Sequence, residues 1–184
     1  RGTLAQQLDL NVPSRPEPMQ RELPPRRRAG PALHANVEPE VPPLALANGI
    51  GGFADGGREY VIVLEGDEET PMPWANVIAS PALGTVVTAS GSAFTWSENS
   101  RENRLTPFAN DPVTDPTSEA ILVRDDDSGE AWSPTPGPLP RTRESGRFVI
   151  RHGAGVTRFA RATSGIRQAL DVFENVLREA PRPD

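Results

Sequence analysis

Glycine and proline recur so closely between residues 45 and 163 that the chain there is cut into segments too short for most helices and long enough for strands. Arg58 to Leu64 is the clearest of these segments. Tyr60, Ile62 and Leu64 fall on one side of an extended chain and Val61 and Val63 on the other, which predicts a strand covered on both faces. Gly49, Gly51, Gly52, Gly56 and Gly57 punctuate its entry, and Asp55-Gly56 is a hairpin-type turn. Gly84 to Ala89 and Ala93 to Trp96 read as strands around a Ser90-Gly91 turn. Ala120 to Arg124 reads as another, closed by the acidic turn Asp125 to Gly129. Phe148 to Arg151 and Val156 to Ala160 form a last pair around Gly153-Ala-Gly155. Short strands at this spacing predict an all-β, antiparallel β-sandwich.

The flanks differ from this centre. Residues 1–44 carry Pro13, Pro16, Pro18, Pro24, Pro25, Pro31, Pro39, Pro42 and Pro43, each of which removes a backbone donor and biases its predecessor toward extended states. They read as an extended linker draped over a neighbouring domain. Arg26-Arg27-Arg28 reads as solvated charge within it rather than an anion-binding patch, since acidic residues share the segment. After Ser164 the apolar residues Ile166, Leu170, Phe173 and Leu177 recur at helical spacing, with Ser164 as a cap and Pro181 as a stop, so a short C-terminal helix is expected. The domain reading is thus a linker over 1–44, a sandwich module over 45–163 and a tail over 164–184.

Every basic residue is Arg, with abundant Ala, Pro and Gly, which fits a high-GC bacterial coding bias. A net charge of −6 argues against a nucleic-acid partner, because phosphate-backbone binders carry a basic excess. There is no cysteine, so neither a disulfide framework nor a Cys-ligated metal is available, and a reducing, cytoplasmic compartment is expected. No apolar stretch approaches the roughly 18 residues that span a bilayer, and the N-terminus lacks the apolar core of a secretory signal. The first residue is Arg rather than Met, which suggests a piece of a longer protein.

Residues 48 to 115 interleave aromatic residues with Asn, Arg and Asp at a density that a fold alone rarely needs. Sugar-handling surfaces do need it: aromatic faces cover the apolar side of a pyranose, and amides, carboxylates and guanidinium groups pair with its hydroxyls. The words are NGIGGF (48–53), REYVI (58–62), TPMPWANVIASP (70–81), GTVVTASGSAFTWSENSRENRLTPFANDPVTDP (84–116), WSPTPGPLP (132–140) and RHGAGVTRF (151–159). Together, from about Leu46 to about Phe173, they resemble the N-terminal β-sandwich (super-sandwich) module of glycoside hydrolase family 94. Within that family they look closest to the phosphorylase-like region of cyclic β-1,2-glucan synthases.

The resemblance implies an incomplete super-sandwich, with a strand rather than a helix through Ile166 to Phe173. The sequence after about residue 173 departs from the family; a truncated gene, a shifted reading frame or a partial chain would each account for that. For the intact relatives the resemblance implies inverting phosphorolysis, in which phosphate is a co-substrate and one carboxylic acid protonates the leaving sugar. That acid lies in an (α/α)6 barrel that this chain lacks, so no catalytic residue and no cofactor is assigned. The implied partners are a β-glucan or oligosaccharide, the missing catalytic barrel and a second copy of the parent. The parent is either soluble or attached to a bacterial inner membrane.

The candidate substrate-binding residues are Trp96, Asn99, Arg101, Glu102, Arg104 and Trp132. Arg101 to Arg104 either line a sugar pocket or form an internal network that pins a long loop, the second reading being favoured. Trp74, Trp96 and Trp132 are stacking platforms or, more commonly in strands, core; Trp132, before Ser-Pro-Thr-Pro, is the one expected to be partly exposed. Asp111, Asp115 and the Asp125 to Asp127 cluster read as turn chemistry before catalysis or cation binding. His152 reads as a hydrogen-bonded corner residue before a phosphate contact, and His34 as solvated. Family members place an aromatic where Val156 stands, a change that weakens a substrate contact or merely repacks. NGIGGF is no nucleotide loop, lacking the P-loop Lys and a following helix.

Three functions follow as expectations. The first is a non-catalytic sandwich fragment of a glycoside phosphorylase or cyclic β-1,2-glucan synthase that supports dimerisation and shapes the glucan-binding cleft. The second is a free-standing carbohydrate-binding module. The third is a non-functional truncated gene product.

Overall fold

The computed structural model describes residues 36–109, 111 and 113–174. Ten strands follow in order: β1 (Gly51–Ala54), β2 (Glu59–Glu65), β3 (Ala75–Ala79), β4 (Leu83–Thr88), β5 (Gly91–Ser97), β6 (Val123–Arg124), β7 (Ala131–Trp132), β8 (Arg147–Gly153), β9 (Val156–Thr163) and β10 (Ile166–Phe173). They make a five-stranded sheet ordered β1-β2-β8-β9-β10, a three-stranded sheet β3-β4-β5 and a two-stranded ribbon β6-β7, with every pairing antiparallel. The all-β sandwich expected from the turn spacing is what forms. Among the described residues no helix is long and apolar enough to cross a membrane.

The alternation over residues 60–64 translates directly into two cores. Ile62 and Leu64 point inward with Phe148, Ile150 and Phe159 and meet Ile78, Val87 and Ala89 of the smaller sheet. Val61, on the opposite side of β2, joins Ala54 and Val149 in a second cluster on the outer face. The cover of that outer face is the end of the Pro-rich segment: Val41 and Leu44 pack on it. Asn36 Oδ1 accepts from Gly165 N (2.9 Å), Glu38 from Arg147 N (3.1 Å), and Ala45 exchanges two backbone bonds with Phe53 (2.8 and 2.9 Å). From residue 36 onward, the segment read as a linker lies over the sheet of its own module. Prolines keep it extended but give it no ladder, so side chains and three polar contacts hold it. Arg26 to Arg28 and His34 lie outside the described residues.

The C-terminal helix is corrected over 166–173. Those residues are β10, in continuous register with β9 from Ile166 opposite Thr163 to Phe173 opposite Val156. Gln168, Leu170 and Val172 are half-buried toward the inner face, while Arg167, Ala169, Asp171 and Phe173 are exposed. The strand implied by the family resemblance is the one found, and residues 164–173 belong to the module. The remainder of the helix reading, from Asn175, lies outside the described residues.

Candidate functional site

On the face of the three-stranded sheet turned away from the core, Phe94 and Trp96 project side by side, opposite Val86 and Gly84. Gly84 leaves room for the indole: a Cβ there would collide with Cζ2 and Cε2 of Trp96 and lie 2.9 Å from Cη2. Trp96 is thereby sunk to 8 % exposure. The chain then leaves β5, turns, and returns alongside it, with Leu105 N donating to Thr95 O and Ser97 N to Asn103 O (both 2.9 Å). Asn99 makes that turn by accepting Arg101 N (2.9 Å) and Glu102 N (3.1 Å) on its Oδ1. Phe108 closes onto Phe94 edge-on at 4.7 Å, and the Arg104 guanidinium lies 4.8 Å from the Phe108 ring centre. Arg101 and Glu102 pair at 3.4 Å with their side chains 86 % and 70 % exposed, a geometry that adds little stability.

Five of the six candidate residues therefore share one loop and the aromatic face beneath it. Asn99 is committed to the turn and Trp96 to the packing. Most of the loop is exposed, Arg101, Glu102 and Phe108 among its residues. The internal-network reading applies to Asn99 and Arg104; Arg101 and Glu102 have free hydrogen-bonding capacity.

Trp132 is not part of this group, and its expected exposure is corrected: it is 6 % exposed. The Ser-Pro-Thr-Pro segment that follows is itself buried, because Arg161 reaches in from β9 to donate to Ser133 O (2.8 Å) and Ser145 O (3.1 Å). That guanidinium lies 4.4 Å from the Phe148 ring centre. Burial, and Arg141 nearby, lower its pKa. Arg141 lies over the same ring and donates to Gly66 O and Glu68 O at 2.8 Å.

A second feature was not read from the sequence. Parts of three proline-bounded words, 70–73, 114–117 and 136–140, converge with Arg141 at one end of the sandwich around a cleft of about 440 Å³. Asp115 is fixed at its wall by Thr88 Oγ1 (2.9 Å) and Ser90 Oγ (2.6 Å). The signal was the proline spacing itself, since each Pro pair marks a turn, and turns of a sandwich gather at its ends.

The other acidic groups do the local work expected of them. Asp111 Oδ1 accepts Val113 N and Thr114 N, and Thr114 Oγ1 donates to its Oδ2 at 2.7 Å; those bonds lower its pKa. Asp125 makes the equivalent turn with Asp127 N and Ser128, again with a lowered pKa. Among the described residues no group of three His, Cys, Asp or Glu is arranged to hold a metal ion. Val156 sits opposite Gly153 and Phe173, and its carbonyl accepts from Asn76 Nδ2 (3.1 Å).

His152 is a corner residue. Nε2 faces Trp74 O at 3.3 Å and Nδ1 faces Thr157 Oγ1 at 2.9 Å, while Asn76 Nδ2 donates to the same hydroxyl. A carbonyl only accepts, so Nε2 carries the proton and the threonine hydroxyl donates to Nδ1. Burial holds the imidazole below its ordinary 6.5. The unfolded chain then binds more protons below that value, so this contribution is present above about 6.5 and lost as pH falls through the lowered folded pKa. The urea midpoint is expected to drop between pH 7 and 5, and His152→Gln to flatten that slope. An unchanged slope in the variant excludes this account.

The geometry defines a class: an antiparallel β-sandwich module with an exposed polar loop over an aromatic face. The profile described as Glycosyl hydrolase 94, supersandwich domain, matches residues 58–177, and the chain belongs to that family. It is 49 % identical over 123 residues to the cyclic beta-(1,2)-glucan synthase NdvB of Rhizobium meliloti (strain 1021), covering 67 % of this chain and 4 % of that protein. It is 28 % identical over 123 residues to the N,N'-diacetylchitobiose phosphorylase of Vibrio proteolyticus, covering 67 % and 15 %. It is 28 % identical over 137 residues to the solabiose phosphorylase of Paenibacillus borealis, covering 69 % and 16 %. The chain thus spans a small fraction of the length of these relatives.

Proposed function

We propose that this chain is a non-catalytic sandwich module of a glycoside phosphorylase or cyclic β-1,2-glucan synthase, shaping a glucan-binding cleft and supporting dimerisation of the parent. The observation that carries the reading is the loop of residues 98–109. It presents Arg101 and Glu102 to solvent above an aromatic face that pins the loop from below. Guanidinium and carboxylate groups in that position match the vicinal hydroxyls of a sugar. The relatives named for glucan synthesis and disaccharide phosphorolysis support the same substrate class. Attack by phosphate and protonation of the leaving sugar fall to groups outside this chain.

The test is titration of the ¹⁵N-labelled chain with β-1,2-linked gluco-oligosaccharides. Amide shifts confined to residues 98–109 are expected, and Arg101→Ala should weaken binding roughly tenfold, the effect of one lost charge-assisted bond. Incubation with oligosaccharide and inorganic phosphate should yield no glucose 1-phosphate. Shifts elsewhere only, or release of glucose 1-phosphate, would sink the reading.

A further inference from the structure

We infer that the cleft at the proline-bounded end of the sandwich is a second binding site, separate from the loop of residues 98–109 and built for a neutral saccharide of one or two pyranose rings.

The cleft holds about 440 Å³, inside the range of about 300–1,000 Å³ common to small-molecule sites. Three separate segments wall it, and each is tied to another. Arg141 donates to Gly66 O and Glu68 O, both at 2.8 Å, which joins the wall after β7 to the turn after β2. Gly137 N donates to Ser90 O at 2.7 Å, and Ser90 Oγ donates to Asp115 at 2.6 Å. Those two bonds join the same wall to the β4–β5 turn and to residues 114–117. Gly137 is required for this closeness, since a Cβ there would lie 2.9 Å from Thr117 Oγ1 and 3.0 Å from Ser90 O. A pocket tied in this way is preformed, so binding orders little of the protein.

Asp115 is fixed in an unusual posture. Its backbone is left-handed, at φ +41°, and its N–H donates to Asp111 O at 3.1 Å. The hydroxyls of Thr88 and Ser90 both donate to Oδ2, so Oδ1 makes no bond among the described residues. A strained carboxylate with one uncommitted oxygen, on the wall of a cavity, is an acceptor held in place for a ligand.

The chemistry of the walls selects the ligand class. Their other charged groups are Asp67, Glu69 and Arg141, so acids outnumber bases three to one and an anion is repelled. Among the described residues no three acids or histidines converge on a metal ion. Hydroxyls, including those of Thr70 and Thr117, and proline rings make up much of the remainder. A sugar hydroxyl donates to a carboxylate and accepts from a threonine, while the C–H face of a pyranose packs on proline. A basic side chain would satisfy the carboxylates but offer no acceptor to Thr70 and Thr117.

The cleft and the loop lie at opposite ends of β5. That strand runs from Gly91, beside the cleft, to Ser97, at the root of the loop, a span of about 20 Å. The two sites can therefore be tested apart. The chain has two methionines, and Met72 lines the cleft at 60 % exposure, so a ¹³C label on the methionine methyl groups reports on it. Glucose or β-1,2-linked glucobiose added to the intact chain should move the Met72 signal saturably. Asp115→Asn should weaken that response roughly tenfold, the effect of one lost charge-assisted bond. Asp67→Asn, on an exposed turn, leaves the bonds around Asp115 intact and should weaken the response severalfold. Arg101→Ala should leave the Met72 response unchanged, whatever it does to the loop. No movement of Met72 with either sugar, an equal response in all three variants, or a larger one with arginine methyl ester or inorganic phosphate than with sugar would overturn the assignment.

Discussion

Gly84→Ala is expected to lower the stability of the module by about 3 kcal/mol, the upper end of what one added methyl costs in a packed site. The cost has a single source. The new Cβ would occupy the volume of the Trp96 ring, and that ring is held between Gly84 on one side and the returning loop on the other. The indole must swing out, which exposes it and loosens Phe94, Phe108 and Arg104 together. A double-mutant cycle isolates this cause. In a Trp96→Leu background the smaller side chain tolerates the methyl, so Gly84→Ala should cost less than about 1 kcal/mol, giving a coupling of about 2 kcal/mol. Urea unfolding of the four proteins measures it. Additivity of the two substitutions would show that Gly84 is needed for its backbone and not for its partner. Because the same ring supports the candidate sugar-binding loop, Gly84→Ala should also broaden the amide signals of residues 98–109.

The pair illustrates which parts of the structure the sequence discloses. Residues 60–64 alternate cleanly because β2 is central, so each side chain reports the face it occupies, and both clusters follow from the pattern. β10 misled because, among the described residues, it is the outermost strand of its sheet. Gln168 sits on its inner face and Phe173 on its outer one, which breaks the period of two and leaves Ile166, Leu170 and Phe173 to mimic a helical stripe. Trp132 misled for a different reason. Ser-Pro-Thr-Pro is loop chemistry, and only the reach of Arg161 from β9 makes that loop internal. The candidate loop was legible as a cluster, since Asn99 to Arg104 are adjacent in sequence. Its aromatic floor was legible only in part, because nothing in the sequence pairs Gly84 with Trp96 across β4 and β5. The cleft around Asp115 depends on three turns far apart in the chain, and that convergence is a property of topology alone.

The Pro-rich segment carries the other large effect. Val41 and Leu44 are the cover of the outer cluster formed by Ala54, Val61 and Val149, so the double substitution Val41→Asp with Leu44→Asp should cost about 3 kcal/mol. Each side chain contributes about 1.5–3 kcal/mol when fully buried, and both here are only partly so. The carboxylates would themselves remain near water and add little desolvation cost. Val37, which is 60 % exposed on the same strap, is the control: Val37→Asp should change stability by no more than about 0.5 kcal/mol. Chemical denaturation of the three proteins, with exchange rates of the Val61 and Val149 amides, distinguishes a strap from a tether. If the segment only tethers, the double variant should match the control and the two amides should stay protected. If it is the missing layer of the sheet, as its contacts indicate, the amides on β2 and β8 should open together with the loss of stability. The family profile begins at residue 58, and Val41 and Leu44, which precede it, are packed on the outer cluster of the module.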